Sequence, residues 1–335
     1  MRIVMTYARR PGTPGGGSIG CQRIAAGLAQ LGADVELWVV ERGEEVLRPS
    51  DFAVPVRTVR PSRIHYLLDG LGIARALGTR PRGSVDWILG WSTEVAWVPE
   101  VARRLGAGFG MILAMPSYRA WLERRTRLKP LKRMADRYFR IRPARRADLV
   151  FALSGFTARE ASEVLGVAPE RIVVAHWGID PGFFDVARHE APTPRVLFYG
   201  SLAPNKGVFD ALAACGRLLR ETGAEFEVRV AGWGDWEAVR RAAAAAGVAD
   251  KLLCLGTLDR SGLWAELAEA WVALLPSHSE SFGLAIAEAQ AAGIPVVSYR
   301  AGAVPEVVED GVTGFLCPLG DTEALAQALA RLLGD

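Results

Sequence analysis

Leu274–Val297 reads LLPSHSESFGLAIAEAQAAGIPVV. The apolar run Val272 to Leu275 ends at Pro276 and predicts a buried strand; Leu284 to Ala292 has helical spacing and stops at Gly293; Val296 begins the next strand. Strand, loop, helix and strand in this order make one unit of a parallel α/β sheet, whose strands are apolar on both faces. Glu280 falls in the loop and Glu288 on the helix. On one continuous helix their spacing would separate the carboxylates by about 12 Å and rotate them by roughly 80°. A loop position for Glu280 is therefore what would let both face one ligand. Phe282, Gly283 and Leu284 stand at the helix start, where unpaired N–H groups and the dipole favour an anion. A ligand with hydroxyls at one end and phosphate in its middle fits such a set.

The same alternation extends in both directions through the 335 residues. Upstream, strand candidates are Arg2 to Thr6, Val35 to Val40, Trp87 to Leu89, Met111 to Ala114, Leu149 to Leu153 and Ile172 to Ala175, with a helix expected over Ser18 to Leu31. After a linker rich in proline and charge, PGFFDVARHEAPTP at Pro181 to Pro194, the pattern restarts at Val196 to Tyr199, Val228 to Ala231 and Leu252 to Leu255. Beyond the opening stretch it closes with Gly314 to Cys317. Two such series predict two doubly wound, Rossmann-like domains, 1–185 and 186–335, facing each other across a cleft. Ligands on such sheets bind beyond the carboxyl ends of the strands.

Glycines mark several of those ends. After the first strand comes RRPGTPGGGSIGCQRIAAGL, in which Gly15, Gly17 and Gly20 formally satisfy GxGxxG. A dinucleotide fingerprint needs its first glycine at the turn leaving the strand, whereas Tyr7 to Pro14 intervene here. A loop around Gly15, Gly16 and Gly17 covering a diphosphate is the preferred reading. In the second half Gly200 ends a strand and Lys206 with Gly207 precedes a helix, so the ammonium reaches phosphate as a point charge. Gly232 and Gly234, and Gly256 with Thr257 and Leu258, follow two more strands, where small residues let a base and ribose approach the backbone.

The assembled order is GSLAPNKG at Gly200–Gly207, AGWGDW at Ala231–Trp236, PSHSESFGLAIAE at Pro276–Glu288, GAVPE at Gly302–Glu306 and TGFL at Thr313–Leu316. LSGFTAREA at Leu153–Ala161 and HWGID at His176–Asp180 extend it into the first half. Across nearly the whole chain this resembles the retaining, GT-B-fold glycosyltransferases of family 4 (GT4). The resemblance implies a hexosyl transfer from a nucleotide-diphosphate sugar to an acceptor hydroxyl, with the donor as co-substrate and no cofactor or metal. It makes Glu280 the carboxylate facing the donor sugar and Lys206 the cation on the diphosphate, the two catalytic assignments. Glu288 would bind the ribose. Ser201, Ser281 and the backbone of Phe282, Gly283 and Leu284 would complete the donor contacts, together with Gly16, Gly17, Gly232, Gly256, Thr257 and Leu258. His278, beside Glu280, either touches phosphate or sugar or shapes the loop.

Three departures from the family pattern stand out. Ser201 replaces an arginine that usually helps hold the diphosphate, which leaves Arg9, Arg10 or Arg23 as candidate substitutes. ILAMPSYRAW offers Met115, Ser117 and Tyr118 where a histidine is common. The sequence stops at Asp335, short of the segment that usually crosses back to the first domain. A catalytically weak sugar-nucleotide or glycan binder, or a sugar-nucleotide epimerase on the same fold, are the alternative functions.

The net charge of +3 hides an asymmetry: residues 1 to 180 carry +11 and 181 to 335 carry −8. Arg119 to Arg146 holds twelve basic and two acidic side chains, interrupted by apolar residues. It reads as a basic amphipathic helix, broken at Pro130 and Pro143, suited to an anionic membrane surface or an acidic acceptor; a solvated arginine-rich face is the plain alternative. No nucleic-acid motif accompanies the charge. The four cysteines lack paired spacing and no two histidines stand at ligand spacing, against a disulfide framework or zinc. MRIVMTYARR is too short for a signal peptide and no apolar run reaches the ~18 residues of a membrane span. The expected location is cytoplasmic, peripheral at the inner face of the cell membrane, with a glycan, lipid-linked or small-molecule acceptor.

Overall fold

The computed structural model describes residues 1–7, 16–40, 53–60, 68–91, 93–115, 117–123, 129–189 and 191–334. Among them, seven strands form one parallel sheet: β1 Arg2–Tyr7, β2 Asp34–Val40, β3 Val56–Val59, β4 Trp87–Gly90, β5 Gly108–Leu113, β6 Leu149–Ala152 and β7 Ile172–Val174, in the order β3-β2-β1-β4-β5-β6-β7. Six form another: β8 Arg195–Ser201, β9 Glu227–Trp233, β10 Leu252–Gly256, β11 Val272–Leu274, β12 Val296–Tyr299 and β13 Gly314–Cys317, in the order β10-β9-β8-β11-β12-β13. Each order reverses direction once, between β1 and β4 and between β8 and β11. Those are the switch points where loops after neighbouring strands part and leave a crevice. The expected α/β class and both doubly wound sheets are present.

Central strands are apolar on both faces, as parallel sheets covered by helices require. Val272, Ala273 and Leu274 of β11 are each 0% exposed, whereas Val173 and Val174 on the edge strand β7 are 40% and 47% exposed. Strand β3 was absent from the sequence reading, and its burial pattern shows no apolar run to reveal it.

The chain divides into compact units Met1–His176 and Trp177–Asp335, earlier than the expected division after residue 185. Phe183 is the physical reason, since it is buried in the core of the second unit and stacks edge-on against Trp264, 6.0 Å between ring centroids. Asp180 of HWGID accepts from the Gly182 amide at 3.1 Å and pairs with Arg260 at 3.0 Å. The last residue of that motif is the cap of the turn Pro181–Phe183.

In the basic segment the structure corrects one expectation. Pro143 does not break the helix: Lys129–Asp136 continues through a π turn at Arg137–Ile141 into Arg142–Arg146. Proline has no N–H to give and its ring clashes with the carbonyl four residues back. The wider turn, with the Arg142 amide on the Arg137 carbonyl, relaxes that clash without ending the helix. Pro130 is the second residue of Lys129–Asp136, where a missing N–H is harmless. Many of the cations are engaged within the first unit. Lys132 and Arg140 flank Asp136 at 2.7 and 3.4 Å, Arg142 meets Glu100 at 2.6 Å with Arg146 on the same carboxylate, and Arg145 donates to the Leu165 carbonyl at 2.7 Å. Leu131, Met134, Tyr138, Arg133 and Arg137 remain exposed.

Candidate active site

Strands β8 and β11 are hydrogen-bonded neighbours, with Val196 opposite Val272 and Leu197 opposite Ala273. The segments leaving their carboxyl ends carry Lys206 and Glu280. After β8 the chain turns through Pro204–Lys206 and enters the helix Val208–Thr222. Ser201 shapes that turn, its Oγ accepting from the Ala203 amide at 3.3 Å. Gly207 has φ +79°, and a Cβ there would lie 2.0 Å from the Pro276 carbonyl oxygen. Only glycine lets these two segments cross so closely.

After β11 the loop runs to the helix Leu284–Ala291, which starts behind Gly283 at φ +94°. Glu280 is thus in the loop and Glu288 on the helix, as expected. The Glu280 backbone is fixed from the next strand over: its carbonyl accepts from the Ala303 amide at 2.9 Å. A Cβ on Gly302 would stand 2.4 Å from that same oxygen. This gives the GAVPE motif a concrete task, seating Glu280.

Lys206 Nζ and Glu280 Oε1 are 2.6 Å apart, with the two side chains 32% and 13% exposed. Residues 74 positions apart are therefore brought into one charge-assisted hydrogen bond at the switch point. Glu288 lies on the helix Leu284–Ala291 that follows the Glu280 loop, close enough to Tyr199 for its charge to be felt there. The Tyr199 hydroxyl, near the end of β8, donates to the Ala285 carbonyl one turn before Glu288. Burial first, then the charge of Glu288, pushes that hydroxyl far above its ordinary range, so it remains a donor.

His278 points to a different partner. Its Nε2 is 2.7 Å from Asp210 Oδ2, and the Tyr299 hydroxyl donates to the same oxygen at 3.0 Å. Sequence reading singled out neither Asp210 nor Tyr299, because each lies more than 20 residues from His278. Ser281 is buried. The Gly232 carbonyl, one residue before the end of β9, accepts from Thr257 Oγ1 at 3.3 Å, next to Gly256 at the end of β10; Leu258 is packed against the core.

In the first unit, Gly16 and Gly17 open the helix Gly16–Gln30 rather than a loop before it. The N–H groups of a first turn have no intrahelical partner, and glycine is tolerated there more readily than in a helix interior. Gly15, Arg9 and Arg10 lie outside the described residues. Where a histidine is common, Ser117 caps the helix Tyr118–Glu123: its Oγ accepts from the Ala120 amide at 3.1 Å and donates to Glu160 at 2.8 Å. Glu160 also accepts from the amides of Tyr118 and Arg119 at 2.6 and 3.2 Å. The LSGFTAREA motif begins with a capping box, Ser154 Oγ accepting from the Thr157 amide at 3.1 Å and Thr157 Oγ1 from the Ser154 amide at 3.0 Å. Both features build helix starts. Among the described residues, no group of three or more His, Cys, Asp or Glu could hold a metal ion.

A sequence profile described as Glycosyltransferase Family 4 matches residues 14–183, just over half of the chain, and one described as Glycosyl transferases group 1 matches 183–335. The chain belongs to glycosyltransferase family 4. This family 4 chain is 36% identical over 177 residues to the amylovoran biosynthesis glycosyltransferase AmsK of Erwinia amylovora, covering 50% of this chain and 43% of that protein. The first curated relatives it matches are thus spanned over less than half of their own length. Among solved structures, sucrose-phosphate synthase from Thermosynechococcus elongatus matches with a TM-score of 0.82 at 18% identity, covering 100% of this chain and 90% of that one. Anabaena HepE, solved in complex with UDP and glucose, matches with 0.77 at 20% identity, covering 99% and 90%. These likenesses establish the GT-B fold of the family 4 chain.

Proposed function

We propose that this protein is a retaining glycosyltransferase that moves a hexosyl group from a nucleotide-diphosphate sugar to an acceptor hydroxyl. The observation that carries the reading is the Lys206–Glu280 pair at the β8/β11 switch point, 2.6 Å apart beside a helix start. An ammonium, a carboxylate and a set of helix-start amides are what a sugar joined to a diphosphate requires. The solved complex of HepE with UDP and glucose supports a donor of this class.

In this reading the second unit binds the donor and the first the acceptor. The ammonium of Lys206 leaves Glu280 for a diphosphate oxygen, and the Glu280 carboxylate accepts from the sugar hydroxyls instead. Glu288 accepts from the ribose. The bond between the anomeric carbon and the diphosphate oxygen breaks, and the acceptor oxygen bonds to that carbon on the same face. The acceptor's proton passes to the departing diphosphate. Charge gathers on the diphosphate as the bond breaks, and Lys206 with the amides of Phe282 to Leu284 stabilises it there. Neither step draws on a metal. Thermal melts against UDP-glucose, GDP-mannose and ADP-glucose should show one donor raising Tm by mass action. With that donor and an acceptor panel in EDTA, the product should keep the donor's anomeric configuration. Inverted product, or release of nucleotide with no sugar transferred to any acceptor, counts against the reading.

The acceptor is proposed to be a glycan, lipid-linked or small molecule, met at the inner face of the cell membrane without any nucleic-acid partner. Leu131, Met134 and Tyr138 are 54%, 64% and 36% exposed, and their spacing of three and four residues puts them on one helix face. Arg133 and Arg137 are exposed beside them. Apolar residues flanked by arginine favour an anionic lipid surface. Among the described residues no helix is long and apolar enough to cross a membrane. Flotation with phosphatidylglycerol vesicles at physiological salt should carry the protein upward, and Leu131→Asp with Met134→Asp should leave it below. Wild type staying in the soluble fraction at low salt would remove the membrane from the proposal.

A further inference from the structure

Lys206 and Glu280 sit on two segments joined by at least four contacts. Two are the ion pair itself and the crossing of Gly207 over Pro276. The others belong to His278: its amide donates to the Asn205 carbonyl at 2.9 Å, and its Nε2 lies 2.7 Å from Asp210 Oδ2. Asp210 stands in the first turn of the helix Val208–Thr222, directly after Lys206 and Gly207. On the proposed reaction path the Lys206–Glu280 bond must open, because both side chains exchange each other for the donor. The His278–Asp210 bond uses neither side chain, so it survives that exchange.

We propose that His278 and Asp210 form a positioning clamp that keeps the Lys206 turn and the Glu280 loop in register while their own ion pair is opened by the donor. This rests on the transferase reading of the site. Asp210 Oδ2 receives both His278 Nε2 and the Tyr299 hydroxyl. A carboxylate only accepts, so Nε2 carries the proton and the imidazole acts here as a donor. The Tyr299 ring is buried and lies 5.7 Å from the His278 ring, centroid to centroid. The Tyr299 hydroxyl holds the carboxylate and the ring lies beside the imidazole. Burial first, then the bond to Asp210, raises the Tyr299 hydroxyl above its ordinary range, which keeps it a donor as well. His278 Nε2 and Asp210 Oδ2 are thus committed to joining the two segments, with Tyr299 of β12 bracing the carboxylate.

The clamp is tested by kinetics and by hydrogen exchange in the full chain. With the donor that gives the largest thermal shift among UDP-glucose, GDP-mannose and ADP-glucose, His278→Ala and Asp210→Ala should each lower kcat by about 10- to 100-fold, the range for a misplacement near 1 Å. Donor KM should change little, since the nucleotide is held at the Glu288 end. The double variant should be no slower than the slower single one. His278→Gln, whose amide nitrogen reaches the place of Nε2, should recover most of kcat. Amide exchange over 276–284 should quicken in both alanine variants and return to the wild-type rate in His278→Gln. Single variants with wild-type kcat and exchange, losses that multiply in the double variant, or a glutamine variant as slow as alanine would each overturn the clamp. An inactive wild type whose exchange responds as described overturns the transferase reading instead, and the mechanical link stands.

Discussion

Glu280→Gln is expected to reduce sugar transfer by about a hundredfold to a thousandfold, the scale of losing one preorganised electrostatic group at a reacting centre. The substitution keeps the volume and removes only the charge. Folding should hardly notice, because the loop is seated by the Glu280 carbonyl on the Ala303 amide and by the close approach of Gly302, neither of which uses the carboxylate. The melting temperature should therefore stay within a few degrees of wild type, while kcat falls. Transfer at the wild-type rate would remove Glu280 from the catalytic assignment. A fall in Tm matching the fall in rate would mean that the ion pair with Lys206 is structural.

Gly207→Ala should cause a large loss of stability for a single added methyl. At φ +79° an L residue is strained by about 1–2 kcal/mol. The added Cβ also falls 2.0 Å from a backbone oxygen of Pro276, and a backbone atom cannot swing aside as a side chain can. Overpacking of that kind adds about 1–3 kcal/mol. Denaturant melts should show a combined loss near 3 kcal/mol or more, with donor binding weakened because the Lys206 turn is pushed off the Glu280 loop. A variant melting within a degree of wild type, with unchanged donor affinity, would show that the crossing is looser than the geometry states.

Much of the fold was legible because its central strands are buried on both faces and read as continuous apolar runs. VRTV at β3 escaped since an exposed edge strand carries no such run. The helix through Pro143 was not legible because proline removes a hydrogen bond in any sequence, and the π turn that absorbs the loss leaves no mark in the residue pattern. At the switch point, Glu280 and Lys206 were visible from their order after strand ends, which the fold converts into proximity; Glu288 was legible as a helix residue from its spacing. Asp210 and Tyr299 were not visible. Their link to His278 spans separate strand-helix units, and an aspartate in the first turn of a helix looks like any residue answering the helix dipole. Glu160 is a similar case, since capping a helix start more than forty residues away leaves no periodic trace.

On the proposed reading the Lys206–Glu280 pair also acts as a filter. Free inorganic phosphate could satisfy the ammonium but would strand the carboxylate, and a free sugar could satisfy the carboxylate but would strand the ammonium. Each half-ligand must break a bond between two partly buried groups and restore only one side of it. A molecule carrying an anion and hydroxyls on one frame restores both. By holding each other, the two side chains would disfavour common small anions and free sugars and favour their covalent union.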